Sequence, residues 1–182
     1  MKKIVLASSS PFRADLLKKL GLAFTTARPD CDETPHPGET HRQLVMRLAE
    51  NKARSIAASH GESLIIGSDQ VAELDGEILG KPGAHAPALR QLLNASGRRV
   101  VFHTGLCLLD TCNDTCQVDE VLFTVQFRHL SELQIERYLQ AEQPWNCAGS
   151  FRSEGLGITL FEKLEGDDPN ALVGLPLIRL CD

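Results

Sequence analysis

The sequence predicts an α/β protein in which helices pack on a mixed sheet, and three observations point there. A short apolar run, Ile4 to Ala7, leads straight into a helix start. Two long strand patterns with tight turns, one running from Leu64 to Leu79 and one from Arg99 to Arg128, imply antiparallel pairs. Amphipathic segments lie between them. One βα unit combined with long hairpins indicates a mixed sheet with helices on it rather than a regular doubly wound one. The 182 residues are 42% apolar and 24% charged, which suits a globular chain with a sizeable core. No repeat, low-complexity tract or linker interrupts them, so residues 1–182 read as a single domain.

In order, a strand is expected at 3–7 and a helix at 11–20. Pro11 suits the first helical position, and Ser8 to Ser10 can cap while leaving backbone N–H groups pointing outward. A strand at 22–27, an irregular acidic loop at 29–40 and a long helix at 41–59 follow. The run from Leu64 to Leu74 turns at Asp75-Gly76 and returns through Glu77 to Leu79, which sets Leu74 opposite Glu77 and, counting back, Gln70 opposite Lys81. A helix near 86–95 precedes strands at 99–110 and 118–128, joined by the polar loop 111–117. Ser131 with Gln134 opens a further helix as a capping box. Residues 149–157 read as a glycine-rich loop, 158–164 as a strand, Glu165, Asp167 and Asp168 as a polar turn, and 176–180 as a terminal helix.

A formal charge of −5 excludes a broad basic face for nucleic acid, so the expected partner is a small anion met by a few focused cations. The six cysteines lack paired metal-ligand spacing and are expected as reduced thiols. The N-terminal apolar run is too short for a signal segment, and no stretch approaches the length of a membrane span, so the reading is cytoplasmic with no membrane partner.

Chemistry concentrates at four places. Ser8, Ser10 and Arg13 surround the first helix start, where exposed N–H groups and a guanidinium favour phosphate. Lys52 occupies a row set by Leu44, Leu48 and Ile56 at four-residue spacing, so it either snorkels to water or meets a buried anion. Asp69 closes the apolar run Leu64 to Ser68, and a carboxylate there is a catalytic base, a metal ligand or one half of an internal ion pair. Lys81, between Gly80 and Pro82, arrives near it by the hairpin register. Glu33 lies among Asp30, Cys31 and Asp32, a loop whose carboxylates are either solvated or Mg²⁺ ligands.

Together, Ser8-x-Ser10-Pro11-x-Arg13, Asp32-Glu33, Asn51-Lys52-Ala53, Gly67-Ser68-Asp69, Gly80-Lys81-Pro82, Ala148-Gly149-Ser150 and Val173-Gly174-Leu175-Pro176 occur in register from Lys3 almost to the end. This pattern resembles the Maf family of nucleoside triphosphate pyrophosphatases. The resemblance implies a strongly twisted sheet in two lobes around a central cleft, hydrolysis of a nucleotide to its monophosphate and pyrophosphate, a divalent cation (Mg²⁺ or Mn²⁺), and a homodimer. It implies Asp69 as proton acceptor and metal ligand, Lys52 and Lys81 beside it as catalytic cations, Ser8, Ser10 and Arg13 on the phosphates, and Glu33 near the metal. Three positions that sort substrates in the family read Phe12, Gln70 and Glu154, similar to members acting on 7-methyl-GTP. The chemistry agrees, because an aromatic face attracts the positive ring of 7-methylguanine and a carboxylate accepts from its N1–H and amino group. The rival readings are a dTTP/UTP or broader modified-nucleotide pyrophosphatase, and a non-catalytic nucleotide-binding regulator of cell division.

Overall fold

The computed structural model describes residues 2–182. Seven strands form one mixed sheet: β1 (Lys3–Ala7), β2 (Thr25–Ala27), β3 (Ser63–Leu74), β4 (Glu77–Leu79), β5 (Arg99–Asp110), β6 (Thr115–Phe127) and β7 (Phe161–Glu165). Their order is β2-β1-β3-β5-β6-β7, with β4 on β3. Six helices accompany them: α1 (Pro11–Lys18), α2 (His41–Ala57), α3 (His85–Ala95), α4 (Glu132–Glu142), α5 (Pro169–Val173) and α6 (Leu177–Cys181).

The described residues divide into two compact units, the first made of residues 2–70, 103–121 and 168–182, the second of 71–102 and 122–167. In the first unit β1 pairs in parallel with both β2 and β3, with Val5 opposite Ile65. Alternate side chains of these strands serve opposite faces. Val5, Ala7 and Ile65 pack with Ala49, Ala53 and Ile56 of α2, whereas Leu6 and Ile66 pack with Leu16, Leu17, Leu175 and Leu177. Burial on both faces explains why β1 and the start of β3 read as unbroken apolar runs. Helix α2 sits very close to the sheet: a Cβ on Gly67 of β3 or on Gly105 of β5 would stand 2.1 Å from the carbonyl oxygen of Ala49 or Val45 respectively. Only glycine permits that approach.

In the second unit β4 returns antiparallel to β3 in the expected register, Leu74 opposite Glu77. Its core is aromatic. Phe102, Phe127, Phe151 and Phe161 meet edge to face at centroid distances of 4.8–5.6 Å. Ser131 and Gln134 form the expected capping box of α4, and Thr40 with Gln43 forms another at α2.

Several elements differ from expectation. The second strand begins at Thr25, because Gly21 turns the chain and Leu22 is exposed. β6 begins at Thr115, since Asp110 and Asn113 accept from the backbone N–H of Cys112 and Thr115 and close the hairpin in four residues. Residues 156–160 are a 3-10 turn, so the seventh strand starts only at Phe161. The polar turn before the terminal helix proves to be the cap of an additional helix, α5. Asp168 is buried, with Oδ1 accepting from Asn170 N and Oδ2 from Ile178 N at 2.9 and 2.8 Å. The β3–β4 ladder ends at the Ala72–Leu79 pair, so it stops short of Lys81.

Candidate active site

The first unit brings together most of the predicted residues. Strand β1 delivers the chain into Ser8, whose buried hydroxyl accepts from Ser10 N at 3.1 Å, and Ser10 caps α1 by accepting from Arg13 N at 3.4 Å. The pair fixes the turn so that Phe12 and Arg13 occupy the first helical turn.

Arg13 is anchored by its Nε, which donates to Gly174 O at 2.8 Å. Among the described residues that is its one side-chain hydrogen bond, so both terminal nitrogens of the guanidinium remain as donors. Burial pulls its pKa below the usual arginine range, while Asp69 and Glu33 oppose that shift by their charge. The field of these carboxylates therefore reaches the guanidinium. Ser68 Oγ lies 2.8 Å from the same Gly174 oxygen and from Gly105 O, joining the Val173-Gly174 turn to the sheet.

Lys52 resolves the anomaly in the α2 stripe by meeting buried charge. Its Nζ lies 2.5 Å from Asp69 Oδ1 and 2.8 Å from Glu33 Oε1. The Lys52 and Asp69 side chains are 8% and 11% exposed, whereas Glu33 is 61% exposed, so the ammonium bridges an interior carboxylate and a loop carboxylate. With two of its three N–H donors used, one remains. The thiol of Cys31, two residues before Glu33, is pushed up by burial, with Lys52 acting in the opposite direction.

The donor set of Glu33 and Asp69 suits a hard divalent cation. Two carboxylates converge on one ammonium, and Mg²⁺ binds through one or two carboxylates while keeping its remaining waters.

Gln70 follows Asp69 on β3 but turns its amide into a brace. Its Nε2 lies 3.0 Å from Thr104 Oγ1, 2.7 Å from Ala171 O and 3.2 Å from Leu172 O. Both amide hydrogens are thus engaged with β5 and α5. The second unit carries Lys81 and Glu154, both exposed, with Glu154 Oε2 accepting from Ser153 Oγ at 2.9 Å. They act together on Cys147, whose thiol is raised by burial first and by Glu154 next, and lowered by Lys81.

Sequence reasoning missed the supporting hydrogen bonds made by Ser68, Thr104 and Asp168. Pro169 at the first position and Gly174 after the last were a legible signal for α5. Nothing in the sequence marked Thr104.

The family model for Maf-like proteins matches residues 3–182. The 7-methyl-GTP pyrophosphatase of Nitrosococcus oceani is 60% identical over 179 residues, 98% of this chain and 90% of that one. The 7-methyl-GTP pyrophosphatase of Vibrio cholerae serotype O1 is 58% identical over 178 residues, 98% of this chain and 92% of that one. The crystal structure of protein VC0702 from Vibrio cholerae superposes with a TM-score of 0.40 at 15% identity, over 78% of this chain and 72% of that one, too distant to bear on the fold. A match across nearly the whole chain, with relatives near 60% identity, establishes that the chain belongs to the Maf-like protein family.

Proposed function

We propose that this chain hydrolyses 7-methyl-GTP to 7-methyl-GMP and pyrophosphate in the cytoplasm, with water attacking the α-phosphorus. The reaction rests on one observation: a buried carboxylate, Asp69, is held against an ammonium that keeps a spare donor. The substrate rests on the names of the two close relatives.

Asp69 orients the attacking water and accepts its proton, its carboxylate held in place by Lys52 through Oδ1. Lys52 offers its remaining N–H, and Arg13 its terminal nitrogens, to phosphate oxygens, where they stabilise charge as the pyrophosphate departs. Ser8 and Ser10 shape the α1 start that receives phosphate. Lys81 is assigned the departing pyrophosphate. Glu33 and Asp69 would hold the divalent cation, Mg²⁺ or Mn²⁺, which when bound neutralises phosphate charge.

Phe12 is assigned the face of the methylated base and Glu154 its donor edge. Gln70 contributes by bracing β3 to α5 and β5, because its amide hydrogens are already spent on protein oxygens.

The test offers purified protein with Mg²⁺ a panel of canonical and 7-methylated triphosphates and identifies the released anion. Pyrophosphate chiefly from 7-methyl-GTP, falling by about 10²–10⁴-fold in Asp69→Asn, is the expected result. Equal rates on UTP and dTTP would overturn the specificity. Release of single phosphates would overturn the reaction, and binding without turnover would leave a regulator.

A further inference from the structure

The second unit presents Glu154, the residue assigned the donor edge of the base, on a short loop, 152–156, and helix α4 grips that loop at both ends. Phe151, buried in the aromatic core, fixes where the loop starts. The hydroxyl of Tyr138 accepts from Arg152 N at 3.0 Å, and Glu142 Oε2 accepts from Leu156 N at 2.7 Å. Beyond the first grip the backbone closes on itself, with Gly155 N and Gly157 N donating to Arg152 O at 3.3 and 3.1 Å. Glu154 stands exposed between the two grips.

Glu142 is a costly residue for its position. Its side chain is only 10% exposed, and it is the last residue of α4, where the unsatisfied carbonyls of a helix disfavour negative charge. Burial and the helix field both act against a carboxylate there. The Leu156 amide offsets that cost, with the Arg152 guanidinium 3.4 Å from Oε1. Gly155 packs on the same group so closely that a Cβ would stand 2.6 Å from either oxygen.

We infer that Glu142 is a positioning residue for substrate specificity, holding loop 152–156 so that the Glu154 carboxylate is set in advance for the N1–H and amino group of guanine; this rests on the role assigned to Glu154 in the proposed reaction. A loop that the substrate must order on arrival subtracts that ordering from the binding free energy, whereas a loop already pinned does not. Glu142 removes the cost through a charge-assisted hydrogen bond two residues beyond Glu154. A pyrimidine base lacks this pair of adjacent donors, so the benefit of the pinned loop falls on guanine nucleotides.

The test is steady-state kinetics of the full chain with Mg²⁺ on 7-methyl-GTP and on UTP. Glu142→Ala should raise KM for 7-methyl-GTP about 10-fold, the weight of one charge-assisted hydrogen bond, with kcat changed less than about twofold. The preference for 7-methyl-GTP over UTP in kcat/KM should fall with it. Glu142→Gln keeps an oxygen for the Leu156 amide and should behave close to the parent. Gly155→Ala leaves Glu142 in place but drives a methyl against its carboxylate, so it should reproduce the rise in KM even if Glu142→Ala folds poorly. Hydrogen exchange at the Leu156 amide should speed up in Glu142→Ala and in Gly155→Ala. Glu154→Ala serves as the reference. A normal KM in Glu142→Ala and Gly155→Ala beside a defective Glu154→Ala would overturn this inference alone, whereas a Glu154→Ala indistinguishable from the parent would overturn the role of Glu154 as well. A fall in kcat shared equally by both nucleotides would mark a general defect of the fold and would also overturn it.

Discussion

Replacing Lys52 by methionine keeps the apolar stem and removes the ammonium, leaving Asp69 as a buried charge without that partner. Exposure decides the size of the effect. The limb to Asp69 is interior on both sides, at 8% and 11%, and breaking a buried pair by removing one partner costs about 3–5 kcal/mol. The limb to Glu33 ends on a carboxylate that is 61% exposed, so its loss adds at most about 1 kcal/mol. For a chain of this size each kcal/mol shifts Tm by about 2–4 °C, so Lys52→Met should melt roughly 6–24 °C below the parent. Scanning calorimetry on Lys52→Met, Asp69→Asn and the double variant completes a cycle. Because the double variant buries no uncompensated charge, most of the loss should be recovered in it. A single-variant cost below about 1 kcal/mol, or a double variant no more stable than Lys52→Met, would refute the claim that Lys52 chiefly satisfies a buried carboxylate.

Other consequences follow from the same geometry. Gly67→Ala drives a methyl into the Ala49 carbonyl, so it should lose about 1–3 kcal/mol or more in urea unfolding and also lose activity, because α2 carries Lys52 past Asp69; a variant as stable as the parent would deny the close approach. Ser68→Ala removes a buried donor shared with the Arg13 anchor, and steady-state kinetics should show KM for 7-methyl-GTP rising more than kcat falls. Glu33→Gln should change stability by less than about 1 kcal/mol yet raise the Mg²⁺ concentration that gives half-maximal activity, as read from a metal titration. At the base of the acidic loop, hydrogen bonds from Arg47 hold the Glu39 carboxyl at about 2, against an ordinary 4.5. The folded value is depressed, so the stabilisation is present above 4.5 and fades as pH falls toward about 2. The carboxyl carbon shift of Glu39 should titrate near the lower value, and a midpoint at 4.5 would contradict the pairing.

Local rules made much of the fold legible. The Ser-Pro start of α1, the Asp75-Gly76 turn and its register, and the Ser131 capping box are each fixed by a few adjacent residues, and each stands where the sequence placed it. Lys52 was legible as an anomaly in an apolar stripe, and Asp69 as a charge in an apolar run. Their meeting was not, because it depends on how closely α2 settles on glycines 67 and 105. The strand expected from 158 failed for a different reason. Ile158 is 51% exposed, so the apolar spacing there does not report a buried face. Helix α5 is too short to show a period, and the Gln70 brace unites residues about a hundred positions apart.

The most direct test of the central claim follows the oxygen of the attacking water. Hydrolysis of 7-methyl-GTP in water enriched in heavy oxygen, with the products separated and weighed by mass spectrometry, should place the label in 7-methyl-GMP and none in pyrophosphate, at a rate that collapses in Asp69→Asn. Label in the pyrophosphate, or an undiminished rate in that variant, would contradict attack on the α-phosphorus by a water that Asp69 deprotonates.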